Sequence, residues 1–534
     1  MSTGRTAAIA AAVLLFSAPF AALRFFGATL PSGYLSIGFV ALLAAIVALW
    51  PNDAALATVA ATAPAAPPPS LAAALLVGVV GVVVLTYGLR QWVQTLVTQP
   101  FGADMLIVIR EAGVRILQGL NPYMSYRTYD APWGAVLPYG PLLWGPYLIP
   151  RIWHLDLRVI TITGELFVPA AAAVTAALEA WRGRLGAALS WLVVVISLVA
   201  SVQITGFTQI GHTPVYWPLL LLFAWLVARR RWTAAALTLG LLLVARSTMV
   251  ALLPVFLIAV WLRARADAFR LTLLTALPVV VFYGPFLVWD AAALWSNVVA
   301  SYPRLVKSVV WVAPEHGIAT TLGSTGWLVV HGFERWVEPT QIAAMAVVIA
   351  AAWRACRRGA APLQWMAAAL AAFSLTALWP VFYIHFDVLL LLASGAVAET
   401  LGPQLSVRRW AIGLAALALA VTATIYSATH PDPEFELPVA STKRLFAVPR
   451  RATSAAFIEI DAGPGAGSPP LAIRATLNGQ DLGTAVVSPV NGRVRFPAPA
   501  NAWWTGFNQL ELTPTVVDGA GFAVRRIAVV SSRR

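Results

Sequence analysis

The sequence predicts a polytopic α-helical membrane protein of about 13 transmembrane helices that ends in an all-β sandwich domain. Three observations predict it. Of 534 residues, 60% are hydrophobic and only 11% are charged, far below the roughly 25% charged share of soluble domains. Apolar runs near the ~20 residues that cross a bilayer recur from the N-terminus to about residue 427. Beyond about 430 the pattern changes to alternating apolar and polar positions with turn residues between them.

The apolar runs lie near 7–27, 34–50, 71–93, 158–178, 185–203, 214–228, 233–247, 250–262, 271–289, 339–353, 363–380, 384–400 and 409–427. The net charge of +14 comes mainly from arginines in short loops between them: Arg182 and Arg184, Arg229 to Arg231, Arg263, Arg265 and Arg270, Arg354, Arg357 and Arg358, and Arg408 and Arg409. Those loops alternate, so the positive-inside rule assigns them to the cytoplasm together with Arg5 and the N-terminus. A nucleic-acid partner is not implied. All six histidines and most carboxylates then fall on the exterior or periplasmic face, as does the C-terminal domain. Frequent alanine and arginine, with lysine only at 307 and 443, has the compositional stamp of a GC-rich bacterial genome, which would make this an inner-membrane protein. A single cysteine, Cys356, excludes an internal disulfide and a multi-cysteine metal site.

Three domains follow. Residues 1–70 form a transmembrane hairpin and an Ala/Pro-rich linker. The first run is a weaker match to a signal peptide, because Arg24, Phe25 and Phe26 follow it without a small-residue cleavage site. Residues 71–429 form the main bundle, with outer loops 94–157 and 290–338; residues 430–534 form the β domain.

In the first outer loop, Met105, Ile109, Ile116 and Leu117 fall to one side and Arg110, Glu111 and Arg115 elsewhere, which predicts an interfacial amphipathic helix from Asp104 to Gly119. Asn121-Pro122-Tyr123, Asp130-Ala-Pro132-Trp133 and Tyr139-Gly140-Pro141 predict a folded-back segment, tolerated at membrane depth only against protein or a cavity. The second outer loop carries Tyr302, Arg304, Lys307 and Pro314-Glu315-His316 and is placed to cover the first. Asn478-Gly479 between strand-like segments signals a hairpin.

Leu477-Asn478-Gly479, Leu482-Gly483 and Gly506-x-Asn508-x-Leu510-x-Leu512 resemble galactose-binding-like jelly rolls, a fold that serves for carbohydrate binding or for packing. Across about 70–400 a second resemblance rests on order and topology. An apolar span is followed by Asp104 at its outer end, an interfacial helix, Gly119-Leu-Asn121-Pro122-Tyr123 and a Tyr-Gly-Pro-rich loop; later come Thr208-Gln209-Ile210-Gly211-His212 and Gly240-Leu-Leu-Leu-Val-Ala-Arg246. This order resembles the GT-C integral-membrane glycosyltransferases, especially their polyprenyl-phosphate-mannose-dependent mannosyltransferase branch (glycosyltransferase family 87-like). Two features depart from it: Arg246-Ser247-Thr248 stands where that branch has Lys followed by Pro, and the first two spans have no counterpart.

The resemblance implies transfer of a hexose or pentose from a polyprenyl-phosphate donor to a lipid or glycan acceptor at the exterior face. Asp104 would be the base, and Arg246, Arg304 and Lys307 would contact the donor phosphate. Asn121, Tyr123, Trp133, Tyr139, Gln209, His212, His385 and Asp387 would contact substrate. No cofactor is certain; a divalent cation is left open, and no Asp-x-Asp pair marks a preformed site in the outer loops. Each role has a plainer rival: Asp104 as helix N-cap, Arg246 as a snorkelling anchor, His385 and Asp387 as a local pair. The alternative functions are a lipid or glycan transporter, whose inverted repeat is not visible, and a non-catalytic envelope-assembly scaffold.

Overall fold

The computed structural model describes residues 68–98, 104–126, 135–153, 155–200, 213–312, 323–380, 382–401, 406–428 and, in the C-terminal region, 435–437, 444–449, 456–464, 471–487, 493–502, 507–514 and 522–531. The expected hairpin in residues 1–67 lies outside them. Helix α1 (Leu71–Thr98) leads to α2 (Asp104–Leu117), followed by a two-stranded antiparallel pair, β1 (Ser125–Tyr126) and β2 (Ala135–Val136), and short turns through Ile152. The bundle continues with α3 (Arg158–Trp181), α4 (Leu185–Ala200), α5 (Trp217–Ala228), α6 (Trp232–Ala245), α7 (Leu253–Arg263) and α8 (Ala268–Trp295). It ends with α9 (Val337–Arg357), α10 (Pro362–Leu375), α11 (Phe382–Leu401) and α12 (Val407–Ala428).

Six helices among the described residues are long and apolar enough to cross a membrane: those over 71–93, 158–181, 265–308, 334–357, 384–401 and 407–424. Five further apolar helices are 10–17 residues long. Of the expected runs, those near 7–27 and 34–50 lie outside the described residues, and the five shorter helices fall in the runs near 185–203, 214–228, 233–247, 250–262 and 363–380. Prolines stand at the starts of two of these shorter helices, Pro218 and Pro254, and the extended backbone of Arg246 ends a third.

Sequence chemistry explains how the helices pack. A Cβ on Gly81 would lie 3.1 Å from the Ala173 Cβ, and one on Gly88 only 2.5 Å from a Val199 methyl. Glycine thus lets α1 approach α3 and α4 closely, the small-residue contact that holds helices together in lipid. Helices α3 and α11 are the buried centre. Helices α1, α8, α9 and α12 instead present Leu75, Val82, Leu277, Val347 and Leu419 outward, as lipid-facing helices do.

The expected outer loop 290–338 begins as helix. The α8 backbone breaks only at Asp290 (φ −159°, ψ 93°), where the Asp290 carboxylate accepts the Ala293 N–H at 2.9 Å, and helical structure then runs on to Val310. The apolar pattern simply persists past the kink.

The C-terminal region contains two antiparallel sheets, one ordered β10-β5-β8 and the other β3-β4-β9-β6-β7, with strands β3 (Phe435–Leu437), β4 (Arg444–Pro449), β5 (Ala456–Pro464), β6 (Leu471–Leu477), β7 (Gln480–Val487), β8 (Arg493–Ala498), β9 (Phe507–Pro514) and β10 (Phe522–Ser531). Alternate residues from both sheets, including Ile458, Ile460, Phe496, Ile473, Leu477, Leu510 and Leu512, form one core separate from that of the bundle. Asn478 and Gly479 join β6 to β7 with φ of 53° and 81°, the paired positive values that an Asn-Gly hairpin requires.

Candidate functional site

The site is assembled from segments that lie far apart in the sequence. Helix α2 stops at Gly119, whose φ of +73° places it in the left-handed region. There the Gly119 N–H reaches the Ile116 carbonyl (3.0 Å) and the Leu120 N–H the Arg115 carbonyl (2.9 Å), a Schellman termination. Asn121 Oδ1 then accepts the Tyr123 N–H at 2.9 Å, while Arg115 Nε donates to the Asn121 carbonyl at 3.1 Å. Asn121 therefore turns the chain.

Tyr123 is buried. Its hydroxyl donates to the Tyr139 carbonyl at 3.2 Å, and its ring lies 5.1 Å from Phe286 and 6.5 Å from Trp144, edge-on to both. Burial pushes the Tyr123 phenol far above its ordinary value, so it remains a donor and is no base. The next turn is pressed into the bundle: a Cβ on Gly140 would sit 1.8 Å from the Val244 carbonyl oxygen and 2.3 Å from the Tyr283 hydroxyl. Leu137 N–H also donates to Asn297 Oδ1 at 3.2 Å. One residue of the 94–157 region thus bonds to one of the 290–338 region, in the helical continuation of α8.

Two residues past Val244 is Arg246, which caps α6 with extended backbone (φ −146°, ψ 126°) and is only 8% exposed. Its guanidinium lies 5.9 Å from the centre of the Tyr216 ring. The Tyr216 hydroxyl donates to Asp387 Oδ2 at 2.6 Å, and Trp217 Nε1 donates to Asp387 Oδ1 at 3.2 Å. Asp387 is fully buried and within the electrostatic reach of Arg246. Two donors and a nearby cation are what a carboxylate needs in an apolar bundle, where an uncompensated charge would be costly. His385 is also fully buried, two residues earlier on α11.

A second buried polar group lies beside the first. Arg158 and Asp156 form an ion pair at 3.0 Å, and both are almost fully buried. Buried Glu165 acts electrostatically on Tyr147, whose hydroxyl is 2.8 Å from Thr161 Oγ1. Helix α3 carries Thr161 and Glu165 and touches the segment that carries Tyr216, because a Cβ on Gly164 would meet the Pro214 carbonyl oxygen at 2.2 Å. Sequence reasoning missed Tyr216, Trp217, Asp156 and Arg158. The charged Asp-x-Arg step at the head of an apolar run was the one signal available for the last two.

The remaining candidates are dispersed. Asp104 opens α2, though its side chain lies outside what the structure describes. Trp133, Gln209 and His212 lie outside the described residues. Tyr139 is half-buried and contributes its carbonyl. Arg304 is exposed; Lys307 pairs with Glu338 at 2.7 Å on the surface and lies 5.7 Å from the Trp311 ring. The structure thus connects Tyr123 and Tyr139 to the helix end bearing Arg246, and Arg246 to Asp387, while Arg304 and Lys307 stand at the surface. Among the described residues no group of three or more His, Cys, Asp or Glu side chains could hold a metal ion.

Comparison with known proteins finds no match among protein-family models, curated proteins or solved structures. Fold and site together define a helical membrane protein with ionisable residues buried in its bundle and a C-terminal β region.

Proposed function

We propose that the protein is a GT-C-type membrane glycosyltransferase that transfers a sugar from a polyprenyl-phosphate donor to a lipid or glycan acceptor at the exterior face. The observation that carries this reading is Arg246, a buried arginine at a helix end, ringed by Tyr216 and Asp387 and adjoining the Tyr139-Gly140-Pro141 turn. Ionisable residues inside a membrane bundle are expensive and mark function more often than stability.

In the proposed reaction the acceptor oxygen bonds to the anomeric carbon as the bond from that carbon to the donor phosphate breaks. Asp104 takes the acceptor proton, and the electron pair leaves with polyprenyl phosphate. Arg246 offers a planar fork to that departing anion, with its position held by Tyr216 and Asp387. The β region belongs on the same face as the 94–157 segment, because a Cβ on Gly479 would lie 3.5 Å from Arg110 Nη2 and 3.7 Å from Glu111 Oε1 of α2.

The test is transfer of radiolabelled sugar from a panel of polyprenyl-phosphate donors in membranes containing matched amounts of wild type, Asp104→Asn, Arg246→Lys or Arg246→Ala. The proposal requires transfer by the wild type, its loss in Asp104→Asn and a graded loss from Arg246→Lys to Arg246→Ala. Unchanged transfer in Asp104→Asn overturns the base. No transfer from any donor by a folded wild type overturns the enzyme in favour of a transporter or scaffold.

A further inference from the structure

Away from the Arg246 site, a cavity of about 470 Å³ lies between α3, α5, the last residue of α11 and the first turns of α12. That volume is within the roughly 300–1,000 Å³ of small-ligand sites. Its walls are apolar or small, with Phe167 and Ala170 on α3 facing Trp410 and Gly413 on α12, and among the described residues Arg409 is its one charged lining residue. The Trp410 ring is fixed on two sides, edge-on to Phe167 at 5.9 Å and donating from Nε1 to the Pro218 carbonyl at 3.2 Å. Val174 is 59% exposed and Gly413 is exposed, so one side opens outward from the bundle, where α12 presents its lipid-facing surface. A Cβ on Gly413 would meet nothing within 4 Å, so the missing side chain itself leaves space in the groove.

Leu401 ends α11 and Arg409 lies in the first turn of α12, so the charged part of the groove is at an end of the bundle. Arg408 stands beside it and is exposed. An apolar slot open to lipid, with arginines where the helices leave the membrane, has the charge pattern of a site for an anionic headgroup on a hydrocarbon chain. We infer that this groove binds one anionic phospholipid, with an acyl chain along Phe167, Ala170 and Gly413 and the phosphate at Arg409. The occupant is a structural lipid of the surrounding bilayer, and the inference stands apart from the transfer reaction.

The test uses the purified full chain in nanodiscs containing a photoactivatable phosphatidylglycerol with a diazirine in its acyl chain, followed by peptide mapping. Labelling is expected in the peptides around 167–174 and 410–417, with much weaker labelling by a phosphatidylcholine probe of the same chain. Gly413→Phe should abolish it, because its Cβ has open space from which the ring can occupy the groove; Val174→Phe, on the facing helix, is the second occluding variant. Arg409→Gln should lower it roughly fivefold, the factor one basic residue carries at an anionic surface. Equal labelling by the two headgroups, or undiminished labelling in both occluding variants, overturns the site. Displacement by polyprenyl phosphate at lower concentration than by phosphatidylglycerol overturns the phospholipid as occupant, and protection by inorganic phosphate alone overturns the need for a chain.

Discussion

The bundle and the β region both pair arginines with carboxylates, yet the pairs sit in opposite surroundings. Asp156 and Arg158 are 0% and 1% exposed, and Asp387 is completely buried behind Tyr216 and Trp217. Arg474 and Asp481, joined at 2.6 Å across neighbouring strands, are each about half exposed, as are Arg495 and, less so, Glu459 at 2.7 Å. In water such pairs gain little, because solvent already stabilises each charge and ordering the side chains costs entropy. In the bundle each charge has lost its water, so the partner is indispensable even where the pair adds little net stability. Buried charges are therefore where a bundle this apolar reveals positions held for geometry.

Breaking that contrast should be most damaging at Arg158. Arg158→Leu leaves the Asp156 carboxylate buried without its cation and should destabilise the protein by about 3–5 kcal/mol. Thermal unfolding in detergent measures it; a melting temperature within a degree of wild type would show that the pair is not a buried ionic one. Gly140→Ala comes next, at about 1–3 kcal/mol or more, because its Cβ would overlap the Val244 carbonyl and the Tyr283 hydroxyl. The same scan should show a shift, and any sugar transfer should fall with it, since the turn adjoins the helix end that bears Arg246.

Asp387→Asn retains size but turns an NH2 toward one of two donors, the Tyr216 hydroxyl or the Trp217 indole. One buried donor then lacks an acceptor, a cost of about 1–3 kcal/mol, and Arg246 loses its counter-charge. Asp387→Glu, which keeps the charge, should recover more activity than Asp387→Asn; the reverse order would show that the carboxylate charge does not position Arg246.

Asp481→Asn should be the mildest, with no measurable shift. Its hydrogen bond from Arg474, and then the Gly483 N–H at 3.0 Å, hold the Asp481 carboxyl below the usual range. A depressed folded-state pKa stabilises above the unfolded carboxylate value of about 3.9 and is lost as pH falls through the folded one. Any loss in Asp481→Asn should therefore lie near neutrality, too small to resolve at so exposed a pair, and the variant should converge with wild type as pH falls into the acid range. A large loss at pH 7 would place Asp481 in the same class as Asp387.

The sequence by itself determined the elements whose signals are local. Glycine 119 predicted the end of an amphipathic helix, Asn478-Gly479 predicted a hairpin, and period-two alternation predicted the strands, because backbone sterics and side-chain periodicity act over a few neighbours. Through the family resemblance it also singled out Arg246 and Asp387 as candidate site residues. Only the tertiary structure decided what surrounds them. Asp387 finds Tyr216 from 171 positions away, Leu137 finds Asn297 across 160, and Gly140 meets Val244. It also decided that Tyr123, an expected substrate contact, packs against Phe286 and Trp144, and that the 290–338 region starts as helix. The reason is physical: local pattern sets which face of a helix is apolar, whereas the partner of a buried charge is set by which helices close-pack, and many distant residues share that choice.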